Sequence, residues 1–182
     1  MRNKSSLAFA REFLKNRKQL GTPFPSSRYL ARTVAKQVVG YNIIELGAGL
    51  GQVTNAILNE NSDIMLTAFE INPGFLEHLA QIKDSRLTII SASAENFADY
   101  VQAFDCVVSG LPLTSMPKHI VKRILESSKK SLRYIQYKYF PEKRLLEDYF
   151  EHVSGRVVWR NVPPALVYVC SNNGQDNSFL KR

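Results

Sequence analysis

Two rhythms of apolar residues alternate along the chain. Compact runs rich in Val, Ile, Leu and aromatics read as buried strands: residues 42–46, Ile64 to Glu70, Arg86 to Ser91, Phe104 to Ser109 and Arg133 to Phe140. Between them apolar residues recur at helical spacing. One such stretch is capped by Ser26 or Ser27 and runs to about Val39, with Leu30, Val34 and Val38 facing inward. The others are residues 52–60, Phe75 to Gln81, a short turn from Ala94 to Tyr100, Pro117 to Leu132 with Ile120, Ile124 and Leu125 inward, and Pro141 through Phe150. Two more strands, Arg156 to Asn161 and Ala165 to Cys170, flank Val162-Pro163-Pro164. Strands alternating with helices predict a mostly parallel sheet covered on both faces. A connection as short as Val162–Pro164 permits only antiparallel pairing. The expectation is one α/β, Rossmann-like domain over residues 25–171, its seven-stranded sheet ending in an antiparallel strand, with no internal repeat and a polar, frayed tail at 172–182.

Residues 5–20 follow a different pattern. Projected as a helix, Leu7, Phe9, Ala10, Phe13, Leu14 and Leu20 share one side. Arg11, Lys15 and Lys18 lie just beyond its edge, and Arg17 intrudes on the apolar side. Such a helix suits a bilayer interface, where each basic residue adds about 1 kcal/mol of attraction to anionic headgroups. It equally suits packing on the domain with the lysines in water. Charge bears on the choice. Residues 1–36 hold nine basic residues and one acid, Glu12, and so carry the entire net charge of +8; residues 37–182 are neutral. Residues 1–24 are therefore set apart as a basic amphipathic element that meets something anionic.

The rest of the composition narrows little. At 182 residues, 45% hydrophobic and 22% charged, the chain suits one ordinary soluble domain. No run approaches the roughly 18 apolar residues of a membrane span, and no apolar run follows the basic N-terminus as in a signal peptide. Cys106 and Cys170 sit in apolar runs without metal-ligand spacing, as buried free thiols do.

Chemistry concentrates where the strands end. Ile43-Ile44-Glu45-Leu46-Gly47-Ala48-Gly49-Leu50-Gly51 is a strand, a turn free of side chains and a helix start. A helix N-terminus after glycines leaves backbone N–H groups for a ligand. Glu45 ends the first strand, Glu70 the second and Ser109 the fourth, with Ser93 after the third. An acid at the position of Glu70 suits a bidentate hydrogen bond to a ribose diol. The run Glu45-x-Gly47-x-Gly49-x-Gly51 is tighter than G-x-G-x-x-G and resembles motif I of S-adenosylmethionine enzymes; seven strands with the last pair antiparallel resemble the layout of class I methyltransferases. On that reading Glu45 attracts the cofactor's α-amino group through water. Ser93 and Glu95 lie where the adenine edge would fall. The expected cofactor residues are Ser26, Glu45, Gly47, Ala48, Gly49, Gly51, Glu70, Ile71, Ser93, Ala94 and Ser109.

A longer set of motifs narrows the acceptor. Pro25-Ser26-Ser27-Arg28-x-Leu30-Ala31, the Glu45–Gly51 loop, Phe69-Glu70-Ile71-Asn72-Pro73, Ser109-Gly110-Leu111-Pro112-Leu113, Ile135-Gln136-Tyr137 and Asn161-Val162-Pro163-Pro164-Ala165-x-Val167-Tyr168 occur in that order. Together they resemble the bacterial phospholipid N-methyltransferases that act on phosphatidylethanolamine, over residues 9 to about 170. The resemblance implies stepwise transfer of up to three methyl groups towards phosphatidylcholine. It also implies an N-terminal helix on anionic lipid and a cytoplasmic monomer peripheral to the inner membrane face. At strand three this chain reads Ala92-Ser93-Ala94 where that family has Gly-Asp-Ala.

Within this reading the Ser109–Gly110–Leu111 loop orients the amine through its carbonyls and the Ser109 hydroxyl. Tyr29, Tyr137 and Tyr139 are placed to stack on a methylated cation, Arg28 and Lys138 to hold a lipid phosphate, and His119 to relay a proton. None is an obvious general base. The related rRNA adenine dimethyltransferases are the rival. They carry an aromatic after strand four that stacks on a flipped base, where this chain has Leu113, so nucleic acid is the less favoured partner. Other readings are N-methylation of another amino-lipid, such as ornithine lipid, and a non-catalytic lipid- or RNA-binding module.

Overall fold

The computed structural model describes residues 26–172. The amphipathic segment at 5–20 and residues 173–182 of the tail lie outside the described residues. The elements in chain order are α1 (Arg28–Ala35), β1 (Asn42–Leu46), α2 (Gln52–Glu60), β2 (Met65–Glu70), α3 (Pro73–Leu79), β3 (Leu87–Ser91), a 3-10 turn (Ala94–Asn96) leading into α4 (Phe97–Tyr100), β4 (Cys106–Ser109), a second 3-10 turn (Leu113–Ser115), α5 (Lys118–Ser128), β5 (Arg133–Lys138), α6 (Lys143–Glu147), β6 (His152–Val158) and β7 (Ala165–Ser171).

One seven-stranded sheet has the order β3-β2-β1-β4-β5-β7-β6. The five strands from β3 to β5 pair in parallel; β7 runs antiparallel to both β5 and β6. Alternation along each strand divides the core. Ile43, Leu66, Cys106, Val108, Ile135 and Val167 pack with Leu30, Val34, Val53 and Ile57 of α1 and α2. Ile44, Leu46, Phe69, Val107, Tyr134 and Cys170 pack on the other face with Phe97, Ile120, Ile124 and Leu146. Both cysteines are buried and free.

The register defines one edge. Leu46 lies opposite Phe69 and Ser109, Ser109 opposite Gln136, and Lys138 opposite Leu166. The glycine loop, the 109–111 loop, the end of β5 and the β6–β7 turn therefore share the carboxyl edge of the sheet. Ligands of open α/β sheets bind at this edge, where the strand order reverses, here between β1 and β4.

Several boundaries differ from the sequence expectation. Ser27, not Ser26, caps α1, its hydroxyl accepting from Leu30 N–H at 3.2 Å. The helix ends at Ala35 and tightens into an i→i+3 turn, which still buries Val38. Helix α5 stops at Ser128, whose hydroxyl donates to the Ile124 carbonyl at 2.8 Å, and Ser131 donates in turn to Ser128. The largest shift is in β6, expected at Arg156–Asn161 and found at His152–Val158. Its polar first half is held by backbone pairing, His152 opposite Ser171 through Val158 opposite Ala165. Gly155 lets the strand lie against the Tyr168 ring, 2.9 Å from where a Cβ would sit. Apolar alternation could not reveal a strand held in this way.

Candidate active site

The glycine loop hangs from the end of β2. Gly47 and Ala48 N–H donate to the Phe69 carbonyl at 2.9 and 3.2 Å. Gly47, Gly49 and Gly51 all have positive φ, 75°, 60° and 81°. Gly49 shows what this backbone is for. A Cβ there would enter open space, its nearest neighbour the Gly47 carbonyl at 4.0 Å, so glycine both permits the conformation and leaves a hollow in which a ligand can approach the main chain.

Two acids flank the hollow. Glu70 is 4% exposed; its Oε2 accepts from Gly49 N–H at 2.9 Å and its Oε1 from Ile71 and Asn72 N–H at 2.8 Å each. A carboxylate offers roughly four acceptor positions, of which three are then in use. One position is left for a ligand hydroxyl, and a bidentate hold on a diol requires one of these three N–H donors to give way. Glu45 is fully buried beneath the loop. Its Oε2 accepts from the Thr54 hydroxyl of α2 at 2.6 Å, while its Oε1 has no partner among the described residues. Burial, opposed by the Thr54 bond and reinforced by the nearby Glu70, raises its pKa to about 7.

Across the β1–β4 switch, the 109–111 loop closes over this site. The Leu111 side chain comes within 2.9 Å of where a Gly47 Cβ would lie. Gly110 permits an equally close approach by Tyr137, whose Cζ lies 2.6 Å from the position of an added Cβ. Behind the loop is a buried polar network. The Tyr134 hydroxyl donates to Gln136 Oε1 at 2.6 Å, and Gln136 Nε2 donates to the Leu111 carbonyl at 2.8 Å and to Glu142 Oε2 at 3.1 Å. Glu142 Oε1 accepts from Thr114 N–H and hydroxyl at 3.2 and 3.3 Å. Burial raises the Glu142 pKa against these bonds and the charge of Lys138.

The methyltransferase small domain model matches residues 24–155. The chain belongs to the methyltransferase small domain family. It is 28% identical to an ornithine lipid N-methyltransferase of Singulisphaera acidiphila, over 97% of this chain and all of that one. Among solved structures it resembles a Burkholderia thailandensis 1,6-didemethyltoxoflavin N1-methyltransferase holding S-adenosylhomocysteine, at TM-score 0.66 and 14% identity, over 92% of this chain and 88% of that one. It also resembles a Geobacter metallireducens precorrin-6y C5,15-methyltransferase, at TM-score 0.64 and 14% identity, over 82% of this chain and 90% of that one. The fold is thus that of the class I methyltransferases, and S-adenosyl-L-methionine is the cofactor. The site of this methyltransferase fits that group on its own terms: an open hollow at Gly49, an acid at its rim and, beneath the loop, a buried Glu45 oxygen that has no partner among the described residues and adds negative charge where a cationic group would lie.

The other expected site residues scatter. Ile71 is held by Glu70, and Ser93 caps the turn at Ala94, accepting from Glu95 N–H at 3.4 Å. Glu95 is buried, with Oε1 4.0 Å from Arg123 and Oε2 without a partner among the described residues. Ser109 is completely buried; its hydroxyl accepts from Leu111 N–H at 3.3 Å and bonds the Tyr134 hydroxyl. Direct contact of that hydroxyl with an amine gives way to a role in shaping the turn, because no part of it is exposed. Tyr137 and Tyr139 are half-buried on the α1–α2 side of the sheet. Tyr29 is exposed, with the Arg28 and Arg160 guanidinium carbons 5.0 and 5.3 Å from its ring centre. His119 is exposed on α5. Sequence reasoning did not single out Gln136 or Glu142 as site residues. Gln136 stood inside a quoted motif, but nothing in the chain announces that Glu142, from the start of α6, folds back to meet it.

Proposed function

We propose that this methyltransferase transfers methyl groups to the primary amine of a membrane-lipid headgroup, with ornithine lipid as the first substrate to test and phosphatidylethanolamine as the second. The observation that carries the lipid reading is the full-length similarity to the ornithine lipid N-methyltransferase. Phosphatidylethanolamine is favoured separately by the Pro25–Ala31 and Asn161–Tyr168 motifs. A nucleic-acid substrate is disfavoured because Leu113, where the dimethyltransferases place a stacking aromatic, is both aliphatic and 1% exposed.

Bound S-adenosylmethionine supplies a methyl already activated on a sulfonium, so the chain's part is positioning and exclusion of water. Glu70 would hold the ribose, and Glu45, sealed beneath the loop, would attract the α-ammonium through water and as a buried negative charge. The Ser109–Leu111 loop, fixed by Gln136, would present backbone oxygens to the amine. Leu111 would separate that amine from the glycine loop's solvent side. Tyr137, against Gly110, would face the substituted nitrogen, where each cation–ring contact contributes on the order of 0.5–2 kcal/mol. Glu142 is buried and bonded on both oxygens, so the amine would arrive already deprotonated by solvent.

The test is incubation with methyl-labelled S-adenosylmethionine and liposomes holding either ornithine lipid or phosphatidylethanolamine in an anionic background. Label in either lipid supports the reading and names the headgroup. Label in 16S rRNA, with none in lipid, refutes it.

A further inference from the structure

The β6–β7 turn, residues 159–164, projects beyond the same edge as the cofactor loop, because Val158 pairs with Ala165 and Lys138 with Leu166. Its large apolar side chains face solvent: Trp159 is 75% exposed and Val162 80%, and Phe140, just past β5, is 75% exposed. The turn is built, not loose. Asn161 is 1% exposed; its Oδ1 accepts from Ser27 N–H at 3.0 Å and its Nδ2 donates to the Pro163 carbonyl at 2.6 Å. That bond seats the N-terminus of α1 beside the turn and gathers Arg28 and Arg160 around Tyr29. From there a groove of about 500 Å³ runs between α1 and β6, lined among others by Arg32, Lys36, Arg156, Trp159 and Arg160, with no carboxylate among the described residues of its lining. Glu60 offsets one of these charges, bonding Arg32 at 2.8 Å.

An exposed indole that shares a groove with arginines, with an exposed valine on the same turn, matches the boundary of an anionic bilayer. The apolar tips bury at headgroup depth while the guanidinium groups meet phosphate. Residues 1–25 carry six basic residues and one acid, the same sign of charge as this patch, so both suit an anionic surface. We propose that the β6–β7 turn and the N-terminus of α1 form a bilayer contact of the folded domain, which turns the carboxyl edge and its cofactor loop towards a surface rich in anionic lipid. This rests on the lipid-substrate reading.

Trp159 is the chain's single tryptophan, so its emission reports this contact directly. The full chain is mixed with phosphatidylglycerol vesicles. Trp159 emission should shift to the blue and be quenched by bromine-labelled acyl chains, with a smaller response to phosphatidylcholine vesicles. Arg156→Ala with Arg160→Ala should weaken partitioning onto phosphatidylglycerol vesicles on the order of tenfold. Both arginines are exposed, and an unchanged melting temperature checks that the fold is retained. Co-sedimentation with vesicles while the emission stays unmoved would overturn the proposal, placing the contact elsewhere. So would an emission change with 16S rRNA and none with vesicles. Methylation of ornithine lipid or phosphatidylethanolamine dispersed in detergent micelles reads the substrate separately. Labelled lipid there with unmoved Trp159 emission sinks the bilayer contact alone; a quenched Trp159 with no lipid labelled sinks the substrate reading alone.

Discussion

Glu45 couples folding, pH and cofactor binding in one side chain. Its folded pKa of about 7 lies above the ordinary carboxyl value of 4.5, so the folded chain holds the proton more tightly than the unfolded chain. The stability this contributes is fully present below about pH 4.5 and is lost as pH rises to 7, a change of about 3 kcal/mol. An ammonium ligand prefers the ionised form, so cofactor affinity should rise over the same interval. The melting temperature without cofactor should fall between pH 5 and pH 8, and the increase produced by S-adenosylmethionine should grow. Glu45→Gln should flatten both trends in a thermal-shift series. At Gly110 the argument is steric. Gly110→Ala places a methyl against the Tyr137 ring, so either the ring or the loop moves. Loop displacements of about 1 Å cost on the order of 10²-fold in rate; steady-state kinetics should show kcat falling with the cofactor Kd nearly unchanged. Glu70→Ala removes the acceptor of three backbone N–H groups and the proposed ribose contact together, and calorimetry should find S-adenosylmethionine binding lost.

At the scale of elements, two polar links carry what apolar packing does not. Asn161 joins α1 to the β6–β7 turn, and its truncation to Ala leaves the Ser27 N–H without its acceptor. The expected loss is about 1–3 kcal/mol, read as a lower denaturation midpoint. Gln136 joins β5 to the 109–111 loop, with Glu142 as its second partner. Gln136→Ala should lower kcat more than cofactor affinity, since the loop loses its anchor while the glycine turn is untouched. These links also mark the limit of reading by pattern. Strands β1, β2 and β4 were legible because buried parallel strands must be apolar on both faces. Helix α1 was legible from Leu30 and Val34, though the same spacing carried the expected helix past its end at Ala35 to Val38. Strand β6 was misplaced because an edge strand needs only backbone partners. Asn161 stood at the end of the expected strand, whereas its amide turns inward as a clamp.

For the whole molecule, orientation at a surface is the functional question. Among the described residues no helix is long and apolar enough to cross a membrane. The charge, however, is concentrated in residues 1–36, and the N-terminus of α1, with Arg28, lies beside the carboxyl edge. Deleting residues 1–20 should reduce sedimentation with anionic vesicles several-fold while leaving S-adenosylmethionine affinity unchanged. Equal sedimentation of both forms would remove the N-terminal segment from membrane binding.

Local chemistry by itself determined the parallel sheet, the glycine turn after β1, the acids at Glu45 and Glu70 and the basic N-terminal region. Each is written in consecutive residues through a periodicity, a φ requirement or a sum of charges. Tertiary structure decided what those parts do to one another. It buried Glu45 with one oxygen unpartnered, turned Ser109 inward, set Tyr137 against Gly110, brought Glu142 to Gln136 and left Trp159 and Val162 exposed beside arginines. Burial and contact between distant residues depend on how the sheet is wound, and no stretch of neighbouring residues encodes them.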